Sequence, residues 1–152
     1  MSGEGDFDFL HGQWSVTHRR LRERGAGSVN WETFGGTAET RPLVSKLGNV
    51  EEHVVPGQRF GGVALRTFSS VSSLWSIYWV SENDGELGPP VIGGFKGDVG
   101  VFEGDDQDCA RSVRVRFTWQ RIDSVEARWT QCFSYDGGKH WEPNWVMDFR
   151  RR

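Results

Sequence analysis

A few side chains combine chemical reactivity with a sequence position where a fold could concentrate it. Glu51 and Tyr78 are titratable groups that could lie near Arg66 or Arg128. Burial of such groups in a dry protein interior shifts their pKa values, as acid–base catalysis requires. The sequence has no Gly-x-Ser-x-Gly elbow, phosphate-binding loop or dinucleotide fingerprint. The candidate chemistry is therefore acid–base catalysis by Glu51, Tyr78 or Arg66, and the alternative is pairing of arginines and acids across neighbouring strands.

Histidines and cysteines are the usual metal ligands, but their spacing here does not favour a metal site. The four histidines lie far apart, without the short spacings of common zinc sites. Cys109 and Cys132 lack the CxxC spacing of metal and redox sites. A fold could still join His18 or His53 to Glu51. We predict two free thiols in a reducing compartment, no metal and no cofactor.

Charge and hydropathy exclude two classes of partner. Lys and Arg number 18 against 21 Asp and Glu, a net charge of 18 − 21 = −3, so no global basic excess attracts nucleic acid or an anionic membrane. No apolar run reaches the roughly 18–20 residues of a membrane helix. The acidic, Gly-rich stretch Met1–Asp8 does not resemble a signal peptide. We expect a cytoplasmic protein that binds neither nucleic acid nor membranes.

The elements that must position these groups are strands, because apolar residues recur at every second position in short runs separated by Gly, Asn, Asp and Pro. An acidic loop is expected at Asp105–Asp108. Before the first strand, a helical turn around Phe7–Leu10 is expected, with Asp6 as its N-cap and Gly12 as its end. Ten strands are predicted, at about residues 13–24, 30–40, 43–55, 60–68, 74–80, 91–96, 99–104, 111–121, 124–134 and 143–150.

The number and order of these strands favour a closed sheet. A length of 152 residues fits one domain spanning 1–152. Sequential hairpins produce a meander, and closing a meander into a barrel removes its exposed edges. We therefore predict an all-β fold, a single antiparallel up-and-down β-barrel of about ten strands. A β-sandwich is the structural alternative.

Several motifs carry a resemblance to a known group of barrels. The first is Gly12-x-Trp14, placed just after the helical turn. The others are Gly48–Glu52, Leu65–Phe68, Trp75–Trp79, Arg128–Gln131 and Asn144–Phe149. Together they resemble lipocalin-like proteins of the calycin superfamily, mostly bacterial and classed as a domain of unknown function. The resemblance implies a barrel with Trp14 at one end and a basic residue of the last strand, Arg150, packed across it. The Gly-x-Trp-x-Gly-x-Gly run of haem-binding relatives is missing, so the resemblance does not imply haem.

One further motif is expected to be structural. Ser134–Trp141 matches the Asp-box pattern S-x-D-x-G-x-x-W. In that pattern the Ser and Asp brace a tight hairpin and the Trp packs beneath it. A single copy in a chain of this length predicts a turn and not a propeller blade.

The tryptophans suggest where a ligand would bind. Apart from Trp14 at the barrel end and Trp141 in the Asp-box, six of the eight remain, all in predicted strands: Trp31, Trp75, Trp79, Trp119, Trp129 and Trp145. Indoles lining a barrel with a few polar groups are suited to a small hydrophobic or aromatic molecule. Gln131 shares the apolar face of its strand, which makes it the best polar anchor. The predicted ligand-binding residues are Glu51, Arg66, Trp79, Trp129, Gln131 and Trp145.

Three functions from different classes remain open at this point. The first is a non-enzymatic lipocalin-like binder with a cavity that reaches solvent. The second is a cofactor-independent isomerase or lyase that uses Glu51, Tyr78 or Arg66. The third is a structural module in which surplus aromatics pack a homodimer or larger homo-oligomer. The choice between the first two depends on whether Arg66, Tyr78 and Arg128 point into the barrel or out of it. Strand periodicity leaves this ambiguous for all three.

Overall fold

The strands form one closed barrel in the computed structural model, which describes residues 2–152. Each strand pairs antiparallel with the next along the chain, and the last closes on the first. The strands are β1 (Gly12–Leu21), β2 (Trp31–Pro42), β3 (Gly48–Val54), β4 (Gly62–Ser69), β5 (Leu74–Ser81), β6 (Val91–Lys96), β7 (Val99–Asp108), β8 (Arg111–Arg121), β9 (Glu126–Ser134) and β10 (Glu142–Arg151). The predicted ten-stranded antiparallel up-and-down barrel is confirmed.

Helical structure is confined to short turns. The predicted N-terminal turn is a 3-10 turn at Asp8–Leu10, and a second one, Val44–Lys46, joins β2 to β3. The expectation that Asp6 caps the N-terminal turn is wrong. The Asp6 carboxylate instead accepts the N–H of Gly3 at 2.6 Å and closes an earlier turn. Gly12 already belongs to β1. No helix among residues 2–152 is long and apolar enough to cross a membrane.

An aromatic plug fills one end of the barrel. It is formed by the N-terminal turn, whose Phe7 is fully buried. The Phe7 ring lies edge-on to Trp75 at 4.9 Å and to Phe95 at 5.0 Å, measured between ring centroids. It lies 6.0 Å from Trp119 on β8. The turn thus joins strands from both sides of the barrel through ring contacts. The edge-on arrangement of these rings is one that aromatic pairs favour.

Trp14 seals the same end. Its indole Nε1 donates to the carbonyl of Leu10 at 2.8 Å. The expectation that Arg150 covers Trp14 is wrong, because Arg151 lies over the indole at 4.2 Å. The register explains the difference: Arg151 is the cross-strand partner of Trp14 and shares its face, since directly paired residues point to the same side. Arg150 points outward and pairs with Glu126.

The acidic stretch Asp105–Asp108 is strand and not the expected loop. All four residues pair with β8, from Asp105 opposite Arg114 to Asp108 opposite Arg111. Arg114 donates to Asp105 at 3.1 Å. Opposite charges placed across neighbouring strands offset the low strand propensity of aspartate.

The Asp-box forms the predicted turn. Ser134 Oγ donates to Asp136 at 2.8 Å. The same carboxylate accepts the backbone N–H groups of Lys139 at 3.0 Å and His140 at 2.9 Å. Trp141 folds under the turn, and its Nε1 donates to the Gly138 carbonyl at 3.1 Å. The motif connects β9 to β10 and is structural.

We expect Phe7→Ala to lower the free energy of unfolding by about 3–5 kcal/mol, the usual effect of truncating a buried Phe. Val71 is 97% exposed, so Val71→Ala is the matched control and should stay within about 0.5 kcal/mol. Urea unfolding followed by circular dichroism measures both. Equal effects of the two substitutions would show that the plug does not stabilise the barrel.

Candidate functional site

A cavity of about 140 Å³ occupies the barrel beyond the plug. Its walls are chiefly aromatic, and it borders the exposed residues Pro89, Asp105 and Asp106, so it reaches the surface at that rim. All six residues predicted to bind a ligand line it: Glu51, Arg66, Trp79, Trp129, Gln131 and Trp145. The structure brings them together, and their binding of a ligand stays a prediction.

Strand alternation decides which arginine enters the barrel. On β4, Ala64 and Arg66 point inward, and Arg66 is buried with 2% exposure. On β9, Arg128 alternates with the inward Trp129 and points outward, where its Nε donates to Asp148 at 2.6 Å. Tyr78 also borders the cavity, although alternation along β5 directs its side chain to the face opposite Trp79. Of the three ambiguous residues, Arg66 is the one that joins Glu51.

A buried polar cluster borders the cavity through three of its members, Glu51, His53 and Arg66. We call it the Glu51 cluster: Thr40, Asn49, Glu51, His53 and Arg66. Glu51 is fully buried, and its Oε1 accepts from Arg66 Nη2 and from His53 Nε2, both at 2.7 Å. Its Oε2 accepts from Thr40 Oγ1 at 2.5 Å, while Arg66 Nη1 donates to Asn49 Oδ1 at 2.8 Å. The metal site that the sequence would have built from His53 and Glu51 is replaced by a direct hydrogen bond between these two side chains.

The register of three neighbouring strands builds this cluster. Thr40 on β2 is the direct partner of Glu51 on β3, and Asn49 is the direct partner of Arg66 on β4. Partners in an antiparallel ladder share a face, so all these side chains point into the barrel. The Arg66 guanidinium then lies over the rings of Phe7 and Trp119 at 5.1 and 5.2 Å, which links the cluster to the plug.

The environment of Glu51 keeps it ionised. Burial by itself would raise the pKa of the Glu51 carboxyl, but the positive charge of Arg66 and the hydrogen bonds from His53 and Thr40 hold that pKa below its usual range. Both oxygens are occupied by strong donors. A carboxylate stabilised in this way is a weak base at neutral pH, so the geometry makes Glu51 a buried counter-ion and not a general base.

His18 is a cavity residue that we did not include among the predicted site residues. It is 1% exposed, and its ring stacks on Phe34 with centroids 4.8 Å apart. Trp145 Nε1 donates to its Nδ1 at 3.1 Å. Burial, together with nearby His53, lowers the pKa of His18 to about 4, so the ring is neutral at pH 7. The alternation of Trp14, Val16 and His18 along β1 is the signal that places it inside.

The tryptophans divide into groups with different roles. Trp31 points outward from β2 and is 39% exposed, so it does not line the cavity. Trp75 belongs to the plug, where its ring meets Phe7. Four strand tryptophans line the cavity: Trp79, Trp119, Trp129 and Trp145. Gln131 lies among them and donates to the buried Asn144 at 2.8 Å.

Comparison with other proteins does not assign the chain to a family. Neither the protein-family models nor the curated proteins compared with this sequence match it. The function of the cavity has to be argued from its shape and its polar groups.

We expect Arg66→Met to lower the free energy of unfolding by about 3–5 kcal/mol, because it leaves the Glu51 carboxylate buried without its cation. The double variant Glu51→Gln with Arg66→Met removes both charges and should recover at least half of that loss. Urea titrations of the two variants and the wild type measure the difference. A double variant less stable than Arg66→Met would contradict this account of the cluster.

The buried neutral His18 should make stability depend on pH. Its pKa is about 4 in the folded chain and 6.5 in the unfolded chain, so the unfolded chain binds more protons between these values. The contribution of neutral His18 to the free energy of unfolding is therefore complete above pH 6.5 and is lost as the pH falls towards 4. The loss is on the order of 3 kcal/mol. Urea unfolding at pH 7 and pH 4.5 should show a smaller loss for His18→Phe than for the wild type.

His11→Gln is the control for that measurement, since His11 lies outside the barrel interior beside Asp8. It should lose stability with falling pH as the wild type does. If His18→Phe also followed the wild type, the pH dependence would have another origin.

Proposed function

We propose that this protein is a lipocalin-like binding protein that holds a small apolar or aromatic molecule inside its barrel. The observation that carries the proposal is the cavity of about 140 Å³ walled by Trp79, Trp129 and Trp145. An apolar protein cavity of about 150 Å³ accommodates benzene. The size therefore supports a ligand with the bulk of a single aromatic ring.

The walls are supported by neighbouring rings. Trp129 meets Trp145 edge-on at 5.8 Å between centroids and meets Phe117 at 4.9 Å. Rings held by such contacts lose little conformational freedom when a ligand arrives, so the binding energy is not spent on ordering them. Drug-sized pockets are about 300–1,000 Å³, so the cavity favours a compact ligand over a long lipid chain.

The polar groups of the cavity support binding over catalysis. Glu51 and Arg66 satisfy each other at 2.7 Å. Tyr78, the third candidate for acid–base chemistry, alternates with the inward-facing Ile77 and Trp79. A general base must reach the proton that it removes, and a carboxylate held by three donors is not free to do so. The isomerase or lyase alternative therefore has less support than the binder.

Filling the cavity tests the proposal. Ala64 is a buried lining residue, so Ala64→Phe should occupy the space that a ligand needs. We expect wild-type protein to bind toluene in isothermal titration calorimetry and Ala64→Phe to show no binding heat. Val63→Leu is the matched control, because Val63 is the adjacent residue on the opposite face of β4.

Ala64→Leu provides a smaller insertion if the phenylalanine disturbs the fold, which circular dichroism would detect. Toluene binding by a folded Ala64→Phe variant with unchanged affinity would contradict binding in the cavity. Native mass spectrometry of protein purified from its own cells would then identify the molecule that it retains.

A further inference from the structure

We propose that the ligand carries a hydroxyl group that lies between His18 and His53, an inference that rests on the proposed function. His18 Nε2 and His53 Nδ1 are buried, and neither has a hydrogen-bond partner among residues 2–152. Both rings line the cavity and are buried, with exposures of 1% and 6%. Buried polar atoms are nearly always hydrogen-bonded, so two such atoms facing one cavity indicate that something in it bonds them.

The neighbours of His18 fix which of its nitrogens carries the hydrogen. The Trp145 indole N–H is a donor only, and it points at His18 Nδ1 at 3.1 Å. Nδ1 must therefore be the acceptor. The neutral His18 ring then carries its hydrogen on Nε2, which makes Nε2 a donor towards the cavity.

The neighbour of His53 fixes the opposite arrangement. The ionised Glu51 carboxylate can only accept, so His53 Nε2 donates to it across 2.7 Å. Our inference assigns the ring its one hydrogen at Nε2, which makes the remaining nitrogen, Nδ1, an acceptor. Of the two histidines, His18 thus presents a donor and His53 an acceptor. Two further lining residues carry buried donors without a partner among residues 2–152, namely Arg66 Nε and Trp119 Nε1.

The residue of the intervening strand that lies next to His18 Nε2 is a glycine. On β2, Phe34 is the partner of His18 and Ala38 is the partner of His53. Gly36 lies between them on the same inner face. A Cβ at Gly36 would lie 3.3 Å from His18 Nε2 and 2.6 Å from the Val54 carbonyl, so a side chain there would crowd the ring nitrogen. Glycine at this position keeps the approach to His18 open.

A hydroxyl is the simplest group that satisfies both nitrogens, since its oxygen accepts from His18 Nε2 while its hydrogen goes to His53 Nδ1. An ether or a ketone accepts only and leaves His53 Nδ1 without a partner. A carboxylate brings a second negative charge close to the buried Glu51. Combined with the aromatic walls and the cavity volume, these constraints describe a one-ring molecule with a hydroxyl, of which phenol is the simplest.

Calorimetric titrations at pH 7.5 with phenol, anisole and toluene test the inference on the full chain. Anisole has the ring and the oxygen but cannot donate. We expect phenol to bind about tenfold more tightly than anisole or toluene, the effect of one or two hydrogen bonds. In His18→Phe and His53→Phe that preference should disappear, so each variant should bind phenol, anisole and toluene with affinities within about threefold of one another. His11→Gln should retain the preference.

A second readout tests the fixed tautomers. Long-range ¹H–¹⁵N correlation spectra should show His18 as the Nε2–H tautomer before any ligand is added, and phenol should shift His18 Nε2 and His53 Nδ1. His18→Phe leaves the Glu51 cluster intact, so it carries the test if His53→Phe does not fold.

The possible outcomes separate the two proposals. Equal binding of phenol, anisole and toluene would overturn hydroxyl recognition and leave the proposed function standing. Binding of none of the three would overturn both. A His18 ring found as the Nδ1–H tautomer would overturn the inference whatever the affinities are, because the donor towards the cavity would be missing.

Discussion

The buried charge of Glu51 is the constraint on which the rest of the barrel depends. A carboxylate without solvent contact costs several kcal/mol unless donors surround it. Here the donors come from three adjacent strands, with Thr40 on β2, His53 on β3 and Arg66 on β4. A slip of one residue in β3 would turn Glu51 outward and bring Glu52 into the barrel, away from these partners. The cluster therefore fixes the register on this side of the barrel, and the position of Arg66 over Phe7 fixes the plug relative to it.

The barrel is filled at one end and hollow at the other because residue size differs along its axis. Phe7 and its neighbouring rings pack the filled end. On the inner face of β4 the chain has Ala64, a cavity-lining residue, where a larger side chain would occupy the space. The walls do not collapse into the remaining volume, since rings such as Trp129 and Trp145 already brace each other edge-on. A cavity bounded in this way exists before any ligand enters it.

The strands, their closure and most cavity-lining residues could be predicted from the sequence. The features that could not be predicted depend on which residues meet across neighbouring strands. Alternation and turn residues predicted ten strands and their closure, and the six predicted site residues line one cavity. Periodicity could not decide the face of Arg66, because a buried arginine is unfavourable unless an anion such as Glu51 is known to lie within hydrogen-bond distance. Whether Arg151 or Arg150 covers Trp14 depends on the pairing register of β1 and β10, which must be known to a single residue. Which strand tryptophans line the cavity could not be predicted either, because an indole suggests burial even where, as at Trp31, the strand turns it outward.

The two histidines show why the polar part of the site lies beyond sequence reasoning. An imidazole can donate or accept at either nitrogen, so its residue type does not say what it offers a ligand. In this barrel each ring meets a group that cannot change role: the indole of Trp145 only donates, and the carboxylate of Glu51 only accepts. Protein atoms thus set the role of the nitrogen that each ring turns towards the protein. A ligand of the proposed kind would meet polar groups that are already oriented, so little reorganisation would oppose its binding.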